Sequence, residues 1–317
     1  MSDALDKAIA ENRESALARA IAAPDYLTVY GSKLYGTATP ESDHDERGFT
    51  VPPFEYLAGL CRFDQRVETA PDDRIVWSLT RFVAMLIKGD PQAYEMLWAP
   101  ESLVLACSEA GRRVRLARSL FACTRFHRRI TGYAQSEWRK VRGVTLEPIA
   151  RTRDEASVIE DIRAVFSPDK AEMDEVIRLL FLNHGRREIP ATRKLGAKRK
   201  AQVDRFGFCV SSASHSVRLI GELEEMLTGD GGITFPRSNA EWLLAVKQGR
   251  VPFGEVEREF EDTKARVEAA AETTSLPEKP ATAAIERLYH SAVAAKLLAD
   301  ERVREYASLA SLAEGAR

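Results

Sequence analysis

Apolar and polar positions follow two rhythms along this chain. Between residues 3 and 22, Leu5, Ile9, Leu17 and Ile21 recur at helical spacing with charges between them. That spacing predicts a helix, which Pro24 and Asp25 end. The period then shortens. "YLTVYGS" is a β-rich run closed by a turn signal. "ERGFTVPP" is a second short strand, stopped by Pro52 and Pro53, and "RIVWSL" (Arg74 to Leu79) is a third. "TRFVAMLIKG" returns to helical spacing and ends at Gly89. "DPQAYEMLWAP" starts another helix, with Asp90 as N-cap and Pro91 at the first helical position.

From about residue 106 the strand signal fades. "EAGRRVRLARSLF", "FHRRITGYAQSEWRKVRG", "DEASVIEDIRAVF", "AEMDEVIRLLFLNHG", "SASHSVRLIGELEEMLTG", "FGEVEREFEDTKARVEAAAETT" and "TAAIERLYHSAVAAKLLADERVREYASLAS" all read as helices. "TGDGGITFPRS" and "SLPEKPA" read as loops. The expected organisation is an α+β head at residues 1–105 and a helical domain at 106–317.

Composition narrows the class. Apolar residues make up 44% of the chain and charged residues 30%, enough to bury a core and still face water. The net charge of −2 argues neither for nor against a nucleic-acid partner, so local clustering must decide. Cys61, Cys107, Cys123 and Cys209 form no Cys-x-x-Cys pair, which speaks against a zinc module or disulfide framework. Reduced thiols suit a cytoplasm. The first 25 residues lack the apolar core of a signal peptide, and no apolar run reaches the ~20 residues of a membrane helix. A cytoplasmic protein without a membrane partner is expected.

The candidate chemistry lies in "YLTVYGSKLYGTATPESDHDERGFTVPP". If Ser42 to Phe49 is extended, Asp43 and Asp45 share one side of a strand, with Cα atoms about 7 Å apart. Two ionised carboxylates repel, and a divalent cation offsets that. Mg²⁺ favours one or two carboxylates plus substrate phosphates, and paired ions can clamp an in-line displacement at phosphorus. Upstream, Gly31 lets a phosphate approach the backbone and Ser32 adds a hydroxyl donor. A short helix beginning just after Ser32 would aim free N–H groups at the anion. His44, between the aspartates, points away by alternation.

At these residues the chain resembles the DNA polymerase β-type nucleotidyltransferase superfamily, whose signature is G-S followed by D-x-D. More narrowly it is similar to the RlaP nucleotidyltransferases, a branch linked to RNA repair. Their pattern is met by Gly31, Ser32, Tyr35, Gly36, Ser42, Asp43, Asp45, Arg47 and Gly48. "DRIVWSLTRFVAMLIKGDPQAYEMLW" and "RFGFCVSSASHSVRLIGELEEMLTG" resemble further family segments, so the likeness covers most of residues 26–280. Three positions depart from it. Arg81 and Asp90 replace a lysine and an asparagine, and a lysine before His215 is replaced by Ser211 or Ser212.

The resemblance implies a polymerase β-like palm followed by a mainly helical domain. It implies Mg²⁺- or Mn²⁺-dependent transfer of a nucleoside monophosphate from an NTP to a hydroxyl, with an RNA end as acceptor. Asp43 and Asp45 would hold the metals. A third acid on a neighbouring strand would be Glu68, Asp72 or Asp73. Asp73 fits best, because it leads directly into "RIVWSL". Gly31, Ser32, Ser42, Arg47, Arg81, His215 and Arg218 would bind the nucleotide, the last two lying three apart on one helix face.

Two basic stretches suit a polyanion. One runs from Gly111 to Gly143, with Phe121, Phe126, Tyr133 and Trp138 among its arginines. The other carries Arg193, Lys194, Lys198, Arg199 and Lys200. The same residues also fit core aromatics with solvated arginines. Two rival functions stand beside RNA-end transfer: nucleotidylation of a protein or small molecule, and a catalytically silent nucleotide- or RNA-binding module.

Overall fold

The computed structural model describes residues 2–57, 62–68, 73–141, 144–148, 160, 186–190, 196–301 and 303. Helix α1 (Ser2–Ala22) leads into strand β1 (Tyr26–Tyr30), and the five-residue helix α2 (Gly31–Tyr35) follows without a break. Next come β2 (Asp45–Thr50), α3 (Phe54–Leu57), β3 (Gln65–Glu68) and β4 (Asp73–Ser78). After them come α4 (Leu79–Ile87), α5 (Pro91–Leu97), β5 (Val104–Cys107), α6 (Glu109–Leu116) and α7 (Arg125–Val141). The sheet order is β3-β4-β2-β1-β5, with β2 and β4 parallel and the other neighbours antiparallel. The described helices that follow the sheet's sequence are α8 (Ala197–Phe206), α9 (Val210–Thr228), α10 (Ala240–Lys247), α11 (Phe253–Thr273) and α12 (Thr282–Ala299). A mixed five-stranded sheet followed by a mainly helical region is the polymerase β-like α+β arrangement.

The strands carry a core on each face. Leu17 and Ile21 of α1 pack with Leu27, Phe63 and Val76 on one side. On the other side Tyr26 stacks on Phe49, and Phe49 on Phe82 of α4. The Tyr26 hydroxyl donates to the Met96 carbonyl of α5 at 2.7 Å, so α4 and α5 cover this second face. Asp90 caps α5 as its sequence implies, accepting from the backbone N–H groups of Gln92 and Ala93 with Pro91 at the first turn. Asp25, fully buried after α1, accepts from Val51 N, Thr50 Oγ1, Ser108 Oγ and Lys296 Nζ, and so ties α12 to the sheet.

The expected boundary at residue 105 falls inside β5, which pairs with β1. The chain divides into two compact units, residues 1–135 with 214–317, and residues 136–213. The second unit contains a two-stranded antiparallel sheet, β6 (Val144–Pro148) with β7 (Arg186–Pro190), within the region read as mainly helical. The helices read in "DEASVIEDIRAVF" and "AEMDEVIRLLFLNHG", and the residues Arg193 and Lys194, lie outside the described residues.

Candidate active site

Parallel pairing of β2 with β4 sets Asp45 opposite Asp73 and Glu46 opposite Arg74. Alternation then separates two charge systems. On one face, Arg47 Nη2 lies 3.1 Å from Asp73 Oδ2 and 3.6 Å from Asp45 Oδ1. On the other, Glu46 accepts from Arg74 at 2.6 Å and meets His44 Nε2 at 3.3 Å, while His44 Nδ1 meets Lys33 Nζ at 2.6 Å. His44 thus turns away from the aspartates. Asp73 faces Asp45 directly, whereas Glu68 pairs with Arg74 one strand further out, and Asp72 lies outside the described residues.

Asp43 departs from the expected strand. β2 begins at Asp45, so Asp43 is an exposed residue of the preceding loop and strand alternation does not fix its direction. Ser42 closes that loop, its Oγ accepting from Thr39 N at 2.8 Å. Asp45 feels all of this. Burial raises its carboxyl above the ordinary range, Arg47 pulls it down, and Asp73 and Asp43 raise it again.

Gly31 explains why the glycine-serine pair stands where it does. It opens α2 at φ +65°, and a Cβ there would overlap Asp45 Oδ2. Only glycine leaves room for that carboxylate. The helix starts at Gly31 rather than after Ser32, so Ser32 sits within the first turn. Arg81 is not in this cluster. It is an exposed residue of α4, beyond the far end of β4 from Asp73, and a six-residue strand is roughly 17 Å long.

Residues 8–153 match the RlaP family model. That family is described as an RNA repair pathway DNA polymerase beta family. The matched stretch contains Gly31, the Asp45–Asp73 pair and the whole five-stranded sheet. An uncharacterized 38.9 kDa protein from the nrdC-mobD intergenic region of Enterobacteria phage T4 is 27% identical over 303 residues, covering 78% of this chain and 89% of the relative. No solved structure matches the chain.

Next to this RlaP-matching cluster lies a second one. Arg47 sits over the Tyr30 ring, 5.7 Å from its centroid, and Tyr30 also lines a cavity of about 540 Å³. Its floor is a buried network. Arg218 of α9 donates to Glu95 at 2.9 Å and to Glu222 at 2.6 Å, and the Tyr30 and Tyr35 hydroxyls both donate to Glu95. Burial would raise the Glu95 carboxyl, but Arg218 and the tyrosines outweigh it and hold it below the ordinary range. Burial pushes Glu222 up to about 8, with Arg218 opposing and Glu95 reinforcing. Arg218 is therefore engaged within the protein rather than offered to a phosphate. His215 Nδ1 lies 3.0 Å from its Nη2 and lines the cavity. Glu95 escaped the sequence reading. Its signal was a lone carboxylate in the otherwise apolar "QAYEMLW".

The structure also sorts the basic stretches. Phe121, Phe126 and Trp138 are buried core, while Tyr133 is 44% exposed. Arg112 and Arg113 pair with Glu109, Arg115 with Glu101, and Arg118 stacks on Trp98. In the second unit, Lys198, Lys200 and Arg205 of α8 are exposed. Among the described residues no group of three His, Cys, Asp or Glu side chains is gathered as a metal site, and no helix is long and apolar enough to cross a membrane.

Proposed function

We propose that this protein is a divalent-metal-dependent nucleotidyltransferase that moves a nucleoside monophosphate from an NTP to a hydroxyl at an RNA end. The observation that carries this reading is the facing of Asp45 and Asp73 across parallel strands, with Gly31 held open against the Asp45 carboxylate. The match to an RNA repair polymerase β family supports it. The exposed Lys198, Lys200 and Arg205 support a polyanionic acceptor.

The donor chemistry fits Mg²⁺ or Mn²⁺: hard carboxylate oxygens on adjacent strands, with Asp43 in the loop beside them. Arg47 now neutralises that pair, and its buried Nε has no hydrogen-bond partner among the described residues. Asp45 and Asp73 would hold the ion, joined by Asp43. The bound metal would supply charge neutralisation at the reacting phosphate. The remaining work falls to the chain. Gly31 admits the triphosphate beside α2, Ser32 donates to it, and Arg47 is placed to turn from the carboxylates to a phosphate oxygen. The acceptor oxygen bonds to the α-phosphorus, the α–β bridging bond breaks, and pyrophosphate leaves. The hydroxyl proton departs by way of Asp73, the more exposed carboxylate. Positioning and charge balance provide the acceleration.

The test is to incubate the full chain with each α-labelled NTP, Mg²⁺ or Mn²⁺ and total RNA, beside an Asp45→Asn control. Label on RNA that the control lacks supports the reading and identifies the base. Label on protein instead moves the acceptor to a polypeptide. Absence of label from every acceptor opposes transfer.

A further inference from the structure

The cavity lined by Tyr30 lies on the same face of the sheet as Asp45, the register partner of Tyr30, but its chemistry differs from that of the carboxylate pair. Three tyrosines line it, yet Tyr30 and Tyr35 have spent their hydroxyls on Glu95. They present ring surface instead. Arg218 lies over the Tyr35 ring, its Cζ 3.7 Å from the centroid, and it is paired with Glu95 and Glu222. The floor is thus planar, polarisable and internally compensated. At the mouth, Tyr133 of α7 is 44% exposed and meets the His215 ring edge-on, at 5.7 Å between centroids. Gln92, Asp90 and Arg129 add polar groups to the lining.

Such a chamber is poorly suited to a triphosphate, which needs uncommitted cations. It suits a flat heteroaromatic ring that stacks on aromatic and guanidinium planes and bonds through its edge. A volume of about 540 Å³ is ample for one nucleoside. Tyr30 forms the shared wall between this chamber and Asp45, its register partner on β2.

We infer that the cavity bounded by Tyr30, Tyr35, Tyr133 and His215 is a nucleobase pocket, holding the base of a nucleotide whose phosphate or terminal hydroxyl reaches the Asp45–Asp73 pair. This rests on the nucleotidyl-transfer reading above. The base comes either from the incoming NTP or from the terminal residue of the RNA acceptor, and the test separates the two.

Binding to the full chain is followed with three probes: 2-aminopurine riboside triphosphate, a short RNA ending in 2-aminopurine, and inorganic triphosphate. Fluorescence reports the first two and calorimetry the third. Tyr133→Ala is expected to weaken a base-bearing probe about tenfold, the lower end of what one base–aromatic stack contributes. Tyr133→Phe is expected to restore it, and inorganic triphosphate is expected to bind both variants equally. Tyr133 is 44% exposed, and a melting curve checks that both variants fold. Whichever base-bearing probe responds identifies the source of the base. The inference is overturned if neither probe binds, if Tyr133→Ala leaves both unchanged, or if it weakens inorganic triphosphate equally. Label transfer that persists while Tyr133→Ala leaves binding unchanged sinks the pocket and spares the transfer. A responsive pocket without label transfer does the reverse.

Discussion

Arg47 and Arg218 each stand between two carboxylates, in opposite surroundings. In Asp45–Arg47–Asp73 the two acids reach solvent at the end of their strands, with Asp73 46% and Asp45 26% exposed at the side chain, while Arg47 is at 9%. Glu95–Arg218–Glu222 is sealed, every side chain at 4% or less. In the sealed trio the tyrosine hydroxyls complete Glu95, and Arg218 reaches both acids at close range. In the open trio one contact is loose, the Arg47 Nε is orphaned and a third acid stands nearby. Identical chemistry thus yields a strut where partners are complete and water is absent, and a candidate reactive centre where they are not.

Arginine deletion should draw the contrast most sharply. Arg218→Met strands two buried acids and is expected to cost about 3–5 kcal/mol in chemical denaturation. A loss below about 1 kcal/mol would mean the sealed trio holds little. In the open trio the larger effect belongs to function. Asp45→Asn should lower label transfer roughly 10²–10³-fold, as when a stabiliser of transition-state charge is removed. Its denaturation midpoint should stay unchanged or rise, because repulsion with Asp73 is relieved. Transfer at the wild-type rate would remove Asp45 from the chemistry.

Gly31→Ala joins backbone to site. Its left-handed φ alone costs about 1–2 kcal/mol, and the new methyl must displace the Asp45 carboxylate. Stability and transfer should fall together; a drop in stability with transfer intact would show that the carboxylate's position is immaterial. Glu222→Gln should have the smallest effect. The folded-state acid titrates near 8 and the unfolded one in the ordinary glutamate range. The folded state therefore binds the extra proton between those values, so this group's contribution declines as pH rises through about 8. The amide imitates the protonated acid and should flatten that slope. An unaltered slope from pH 5 to 9 would place the titration elsewhere.

The open trio was largely legible from sequence and the sealed one was not. Gly31, Asp45 and Asp73 sit beside turn and strand signals that are local, and the α5 cap at Asp90 and Pro91 is local too. Asp43 was misplaced on β2 because its loop, closed by Ser42 and Thr39, delays the start of the strand. β3 and β5 were missed because "QRVE" and "VLAC" are four-residue edge strands with almost no period to read. Glu95, Arg218 and Tyr35 are far apart in sequence, and only tertiary packing shows that Arg218 and the Tyr35 hydroxyl both satisfy Glu95. Arg81 was grouped with the site because it stands where the resembled family has a lysine; it lies at the other end of β4 from Asp73.

Asp25 sets an order of events. On a ribosome, its carboxylate emerges 271 residues before Lys296. At about 5–20 residues per second that interval is on the order of tens of seconds. Thr50, Val51 and Ser108 arrive early and give the carboxylate neutral donors. The cation that balances it arrives long after them, so the sheet gains its full electrostatic closure only once α12 has been made.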